Sequence, residues 1–274
     1  ARAGTIRHGL PGEGAPVAVG TMDAWAAMFG VGAAQHGDAM YLSGTSDVVG
    51  QISNERHDAP GIVSFPMWRG IGLHAGPTQV GGAALSWACR LLGRETPAVL
   101  RLAAAESITS TSPIFLPHLS GERAPIWDAE ARGAFAGFRT EHGPGTAALA
   151  ILEGVAFSAR WVLEGTETAA GHRAGLLYAG GGGMRSDFWM QVRANALGRP
   201  LARTAGGESA ARGAALMAGV SSGQFADLAA TAKQWAGSAD RFEPDPAAAE
   251  LSAQRFNIFK DFYQALRPIN AALA

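Results

Sequence analysis

Three short stretches carry residues suited to holding a phosphorylated ligand. In "LLYAGGGGMRSDFWMQ" (176–191) four consecutive glycines, Gly180 to Gly183, separate an apolar run from an amphipathic segment. Bare backbone loses more conformational freedom on folding than any other kind, so such a run marks a place that something approaches closely. It also sets backbone N–H groups beside a helix N-terminus, an environment suited to an anion or a nucleotide edge. "SGTS" (43–46) offers the amide of Gly44 with hydroxyls beside it, and "MDAW" (22–25) adds one carboxylate, Asp23, after a short apolar run. Two glycine-rich clefts and a carboxylate are what phosphoryl transfer without a P-loop requires: positioning, charge neutralisation and one base.

Other sources of the same chemistry fall away. A Walker A loop needs Gly-Lys followed by Ser or Thr, and the lysines, Lys233 and Lys260, do not follow glycine. The third glycine of a dinucleotide fingerprint would fall at Arg185 or Ser186. "GVSSG" (219–223) has the letters of a hydrolase elbow, but it follows a helix, so Gly219 is expected as a helix cap and Ser221 is a weak candidate nucleophile. The histidines do not pair at metal-ligand spacing. Structural readings stand beside the functional ones: Asp23 suits a helix N-cap, "SGTS" an ordinary hairpin turn, Gly180 the punctuation of a strand, and Arg185 plain solvation. In the proline-rich "GERAP", Glu122 and Arg123 favour a structural turn over a substrate contact.

The elements that must position these residues alternate between strand and helix patterns. "PVAVG" (16–20) reads as a strand and "DAWAAMFGVGAA" as a helix. "AMYLSGTSDVVGQIS" (39–53) reads as a hairpin about Gly-Thr-Ser, and "GIVSF" as a further strand. "TQVGGAALSWACRLLG" reads as a helix ending at Gly93, and 112–135 as largely loop. From Thr146 to about Ala170 a long helix sets Leu149, Leu152, Ala156, Ala159 and Leu163 on one face. "GLLYAG" and "RPLART" are strands, and "SDFWMQVRANALG", with Ser186 as N-cap, "ESAARGAALMAG" and 247–266 are helices. Trp25, Trp87, Trp161 and Trp189 fall in helices and are expected in the core. The whole is an α/β domain with a mixed sheet flanked by helices.

Composition narrows the class. The chain has 274 residues, 47% of them apolar, and a formal net charge of −1 without a basic run, which gives no footprint for nucleic acid or a membrane surface. No apolar stretch reads as a membrane span, so no membrane partner is expected. Cys89 is the only cysteine, in a helix-like "LSWACRLL". An internal disulfide is therefore excluded, and a reducing, cytoplasmic setting is expected.

In series, these stretches resemble the C-terminal half of the FGGY family of carbohydrate kinases, and its xylulokinase-like members most. The blocks are "GTMDAWAAMFGVG", "MYLSGTSDVV", "FLPHLSGERAPIWDAEARGAFAGF", "ALAILEGVAFSARWVLE", "GGGGMRSDFWMQVRANALGRPL" and "ESAARGAALMAG". The resemblance implies the actin/hexokinase/ribonuclease-H-like ATPase fold, with 12–267 as the nucleotide-binding domain and 1–11 as a remnant of the interdomain segment. It implies ATP-dependent phosphorylation of a pentulose such as xylulose, or a related ketose or polyol. Mg²⁺ would be held on the phosphates through water and not directly by protein.

Residue by residue, the resemblance makes Asp23 the base that takes the sugar hydroxyl proton. Gly44, Thr45 and Ser46 would contact the phosphates, Gly82 would line the nucleotide cleft, and Gly181, Gly182 and Gly183, with Arg185, would receive the adenosine. Trp25, beside Asp23, would face the sugar. The family's N-terminal domain, which contributes most sugar contacts, has no counterpart in the chain, so the isolated chain is expected to be inactive as a kinase. A homodimer is left open. This sequence departs from the pattern at Ala24, where xylulokinases commonly carry Asn, at Thr146 and Ala147, and in a shortened "RAGTIRHGLP". The alternative reading is a non-catalytic nucleotide-binding module of the same fold.

Overall fold

Apolar residues that alternate along two parallel strands place the site. The computed structural model describes residues 2–9, 12–204, 208–237 and 240–273. Its strands are β1 (Arg2–Thr5), β2 (Pro16–Ala18), β3 (Ala39–Ser43), β4 (Asp47–Ser53), β5 (Val63–Ser64), β6 (Gly72–Pro77), β7 (Ile114–Leu116), β8 (Ala134–Ala136), β9 (Leu177–Gly180), β10 (Leu201–Arg203) and β11 (Asp240–Phe242). Its helices are α1 (Asp23–Gly30), α2 (Gly82–Leu92), α3 (Thr96–Ala104), α4 (Pro144–Ala170), α5 (Asp187–Leu197), α6 (Ser209–Ser222), α7 (Leu228–Ala236) and α8 (Pro246–Leu273).

The main sheet runs β11-β10-β9-β3-β4-β6-β5. β3 and β10 lie parallel to β9, and the remaining pairs are antiparallel, so the sheet is mixed. Side chains alternate between its faces. Tyr41, Val49, Leu177 and Ala179 pack toward α4, α5 and α8, and Met40, Ile52 and Leu73 toward α1, α6 and α7. Where α1 crosses α6 the backbones nearly touch: a Cβ on Gly213 would stand 1.7 Å from the Ala26 carbonyl oxygen.

α4 is the spine of the core. It meets the length and apolarity of a membrane span, which the sequence reading does not anticipate, but 78% of that apolar window is buried inside the fold. Leu149, Leu152, Ala156, Ala159 and Leu163 are all buried, as their spacing predicts. Glu153 is buried on the same helix and is paired with Arg255 of α8 at 2.6 Å. Arg255 also donates to the carbonyls of Thr109, Ser112 and Pro113. Burial raises the Glu153 carboxyl above its ordinary value, and Arg255 opposes that rise.

Several expectations change. β2 pairs with β1 in a separate two-stranded sheet instead of joining the main one. The 112–135 loop contains β7 and β8, which pair with each other. α6 runs on through Ser221 and closes on Gly223, at φ 84°, so Gly219 is not the cap but an interior residue against Phe225. Cys89 is half-buried on α2, its Sγ 3.5 Å from Thr96 Oγ1. The boundary expected between 11 and 12 falls beside residues 10 and 11, which lie outside those described.

Candidate functional site

β3 and β9 are neighbouring parallel strands in register Tyr41 to Ala179 and Leu42 to Gly180, so their carboxyl ends finish side by side. In open α/β sheets the crevice beyond such ends is where ligands bind. The loop leaving β3 is the Ser43–Asp47 hairpin, and the loop leaving β9 is the glycine run. The two stretches singled out in the sequence are therefore adjacent in space although about 140 residues apart in the chain.

The hairpin tip presents Gly44 and Thr45 to solvent, with Ser46 half-buried. Gly44 N–H donates to the Ser46 carbonyl at 3.0 Å. The tip also receives the start of α2: Gly82 N–H donates to the Gly44 carbonyl at 2.9 Å, and Gly81 and Ala83 donate to the Thr45 carbonyl at 2.9 and 3.1 Å. A Cβ on Gly82 would stand 2.6 Å from the Gly44 carbonyl oxygen. Gly82 thus joins the hairpin through the backbone.

The glycine run resolves into distinct roles. Gly180 is buried, with a Cβ position 3.0 Å from Val31 and 3.1 Å from Leu42. Gly181 has φ 95°, and a Cβ there would meet the Ser43 carbonyl oxygen at 2.4 Å. On Gly183 a Cβ would meet Ser43 Oγ at 2.1 Å. Only Gly182 faces open space. Gly181 and Gly183 are therefore required by the close approach of Ser43, Gly180 is tightly packed by the Val31 and Leu42 side chains, and Gly182 alone leaves free room above the backbone. Gly182–Met184 then forms one 3₁₀ turn leading to α5, where the Ser186 side chain accepts from Trp189 N–H as the expected N-cap. Arg185 is exposed at the edge of this turn.

Two arginines that the sequence reading does not single out hold the turn. Arg203 Nη1 lies 3.3 Å from the carbonyl oxygens of Met184 and Arg185 and 2.6 Å from Asp187 Oδ1. Arg193, wholly buried, donates to the Gly183 carbonyl at 2.6 Å and to Ser43 Oγ at 2.9 Å. Asp47, also buried, accepts from Tyr41 Oη at 2.7 Å. Burial raises both the Asp47 carboxyl and the Tyr41 phenol above their ordinary values, and the nearby Arg193 opposes both shifts.

Asp23 opens α1, with Met22 as N-cap, so it is not the capping residue. It is exposed, and among the described residues its hydrogen bond is to its neighbour's amide, Ala24 N–H, at 2.8 Å. It bonds neither loop. Trp25, expected to face a sugar, is instead 5% exposed and packs on Phe29 and Trp68, with centroids 5.4 and 6.4 Å away. An indole turned into its own core has little ring face left for a ligand. Trp189 is likewise buried, and Trp87 and Trp161 are partly buried. Glu122 is a structural anchor, accepting from Gln79 and Arg123 amides and lying 2.9 Å from His118 Nδ1. Among the described residues no three His, Cys, Asp or Glu side chains gather to hold a metal ion.

The pattern of the FGGY family of carbohydrate kinases, C-terminal domain, matches residues 39–222. The chain is 32% identical over 263 residues to a xylulose kinase of Escherichia coli (strain K12), covering 93% of this chain and 54% of that protein. It is 33% identical over 242 residues to a glycerol kinase of Geobacter sp. (strain M21), covering 86% and 48%. The solved structure of a ligand-bound xylulose kinase from Lactobacillus acidophilus superposes with a TM-score of 0.88 at 27% identity, covering 94% of this chain and 53% of that one. Plasmodium falciparum glycerol kinase with ADP shares the fold at 18% identity and a TM-score of 0.85. The chain spans about half the length of these relatives. With the paired hairpin and glycine turn in place and the family pattern covering both, the chain belongs to the FGGY family of carbohydrate kinases and carries its C-terminal domain, in the actin/hexokinase-like fold.

Proposed function

We propose that this chain is the ATP-binding half of a kinase that phosphorylates a sugar, a pentulose such as xylulose or a related ketose or polyol. The observation that carries the reading is the meeting of the hairpin and the glycine turn at the carboxyl ends of β3 and β9. The adenosine would lie over the open backbone at Gly182 beside Arg185, and the phosphates over Gly44, Thr45 and Ser46. Mg²⁺ would sit on the phosphates through water.

ATP supplies the phosphoryl group when bound. The chain's two loops would hold the nucleotide, and Asp23 would take the proton of the attacking hydroxyl. Asp23 reaches that task only when the sugar is pressed against α1, which calls for an N-terminal domain closing from the other side. Met22, at 47% exposure, and Trp68, at 44%, are apolar side chains near Asp23 and Trp25 that such a domain would cover. A second reading is a nucleotide-binding module without catalysis, in keeping with an Asp23 that bonds neither loop. Calorimetric titration with ATP and a coupled ADP-release assay with xylulose decide between them. ATP binding by this chain, with turnover appearing once the sugar-binding half is joined to it, supports the kinase. Binding without turnover in the joined protein leaves the module, and no ATP binding removes both.

A further inference from the structure

The two loops are tied together beneath their surface by one side chain that neither glycine motif includes. Arg193 of α5 has no solvent exposure. Its Nη1 donates to the Gly183 carbonyl at 2.6 Å and lies 3.2 Å from Met184 Sδ. Its Nη2 donates to Ser43 Oγ at 2.9 Å and stands 3.9 Å from Asp47 Oδ2. The guanidinium lies over Trp189, 3.8 Å from the ring centroid, and 5.2 Å from that of Tyr41.

As a device for stability alone this is a poor arrangement. Asp47 Oδ1 and Arg193 Nε are buried without a hydrogen-bond partner. Buried ion pairs frequently do no better than apolar side chains of the same volume. What the arginine does supply is geometry. A planar, rigid fork fixes the relative position of whatever it bonds, and here it bonds the inner side of the glycine turn and the base of the hairpin. We propose that Arg193 is a positioning residue for the nucleotide, setting the gap between the surface that takes the adenosine and the surface that takes the phosphates. This rests on the reading of the two loops as an ATP site.

A ligand that spans both loops feels that gap, and a ligand that rests on the glycine turn alone does not. The test is the affinity of this chain for ATP and for adenosine, followed by NMR titration, in the wild type, Ser43→Ala, Arg193→Lys and the double variant. Ser43→Ala removes the hairpin end of the link and leaves the bond to Gly183 in place. It is expected to weaken ATP about tenfold, the order of one charge-assisted hydrogen bond, with adenosine affinity unchanged. Arg193→Lys keeps the charge without the fork and is expected to weaken ATP similarly, and Ser43→Ala should add little in its background. Thermal unfolding checks that each variant folds.

Equal losses for ATP and adenosine in Ser43→Ala, or an unchanged ATP affinity in either single variant, overturn the inference while leaving the ATP site standing. If the wild-type chain binds neither ligand, the ATP reading fails, and the inference fails with it.

Discussion

At the residue scale, the chemistry assigned to Asp23 and the packing assigned to the glycines make separable predictions. In the enzyme completed with its sugar-binding half, Asp23→Asn is expected to lower kcat by about a hundredfold or more while ATP affinity, read by titration, persists. Unchanged turnover removes Asp23 as the base. Gly182→Ala adds a methyl group where nothing of the protein lies within 4 Å. Its unfolding midpoint should match the wild type and its ATP affinity should fall. Gly183→Ala pushes a methyl group into Ser43 and is expected to cost about 1–3 kcal/mol in denaturant unfolding.

His74 makes a fourth test at this scale. It is buried between Ser64 Oγ, 2.8 Å from Nδ1, and the Glu55 carbonyl, 3.0 Å from Nε2, and burial holds its pKa below the ordinary 6.5. The folded state thus prefers neutral imidazole. The contribution is whole above 6.5 and is lost as pH falls from there through the lowered folded value. Stability measured across that window should decline less steeply in His74→Gln than in the wild type.

At the element scale, the close crossing of α1 and α6 depends on Gly213, and Gly213→Ala is expected to destabilise by about 1–3 kcal/mol or more, measured by chemical unfolding. The sequence shows the hairpin, the long core helix and the β9-to-α5 turn because each carries a clean period or a turn signal. β6 escapes it: "GLHAGP" has two glycines, a histidine and a proline, and its place between β4 and β5 is set by pairing, not propensity. α7 and β11 pass unnoticed as well, β11 being only three residues long and α7 nine. Arg193 is hidden differently. Within an amphipathic helix an arginine reads as solvent-facing, and only the fold reveals that this one points inward to Ser43 and Gly183. The glycines are legible as a close approach, but the sequence cannot say that Ser43 is what approaches Gly181 and Gly183.

At the scale of the whole molecule, the described chain offers two loops on an open surface and an exposed carboxylate that bonds neither. A cleft of about 480 Å³ lies among Trp127, Asp128, Tyr263 and Arg267, away from both loops. The same scale shows what joins α8 to the middle of α4. Arg255 on α8 is the partner of Glu153 at the centre of α4, and Arg255→Leu is expected to destabilise by about 3–5 kcal/mol because it strands a buried carboxylate. Denaturant titration of that variant beside Glu153→Leu/Arg255→Leu, in which both charges are absent, should show the double change to be the milder.

The distance in sequence between those two residues has a consequence for biosynthesis. α4 leaves the ribosome well ahead of α8, so the nascent domain carries an unmatched acid at its heart until α8 emerges. Complete burial of that spine must therefore wait for α8, and a ribosome-stalled chain that stops short of α8 should be cut by protease within α4, where the released protein resists.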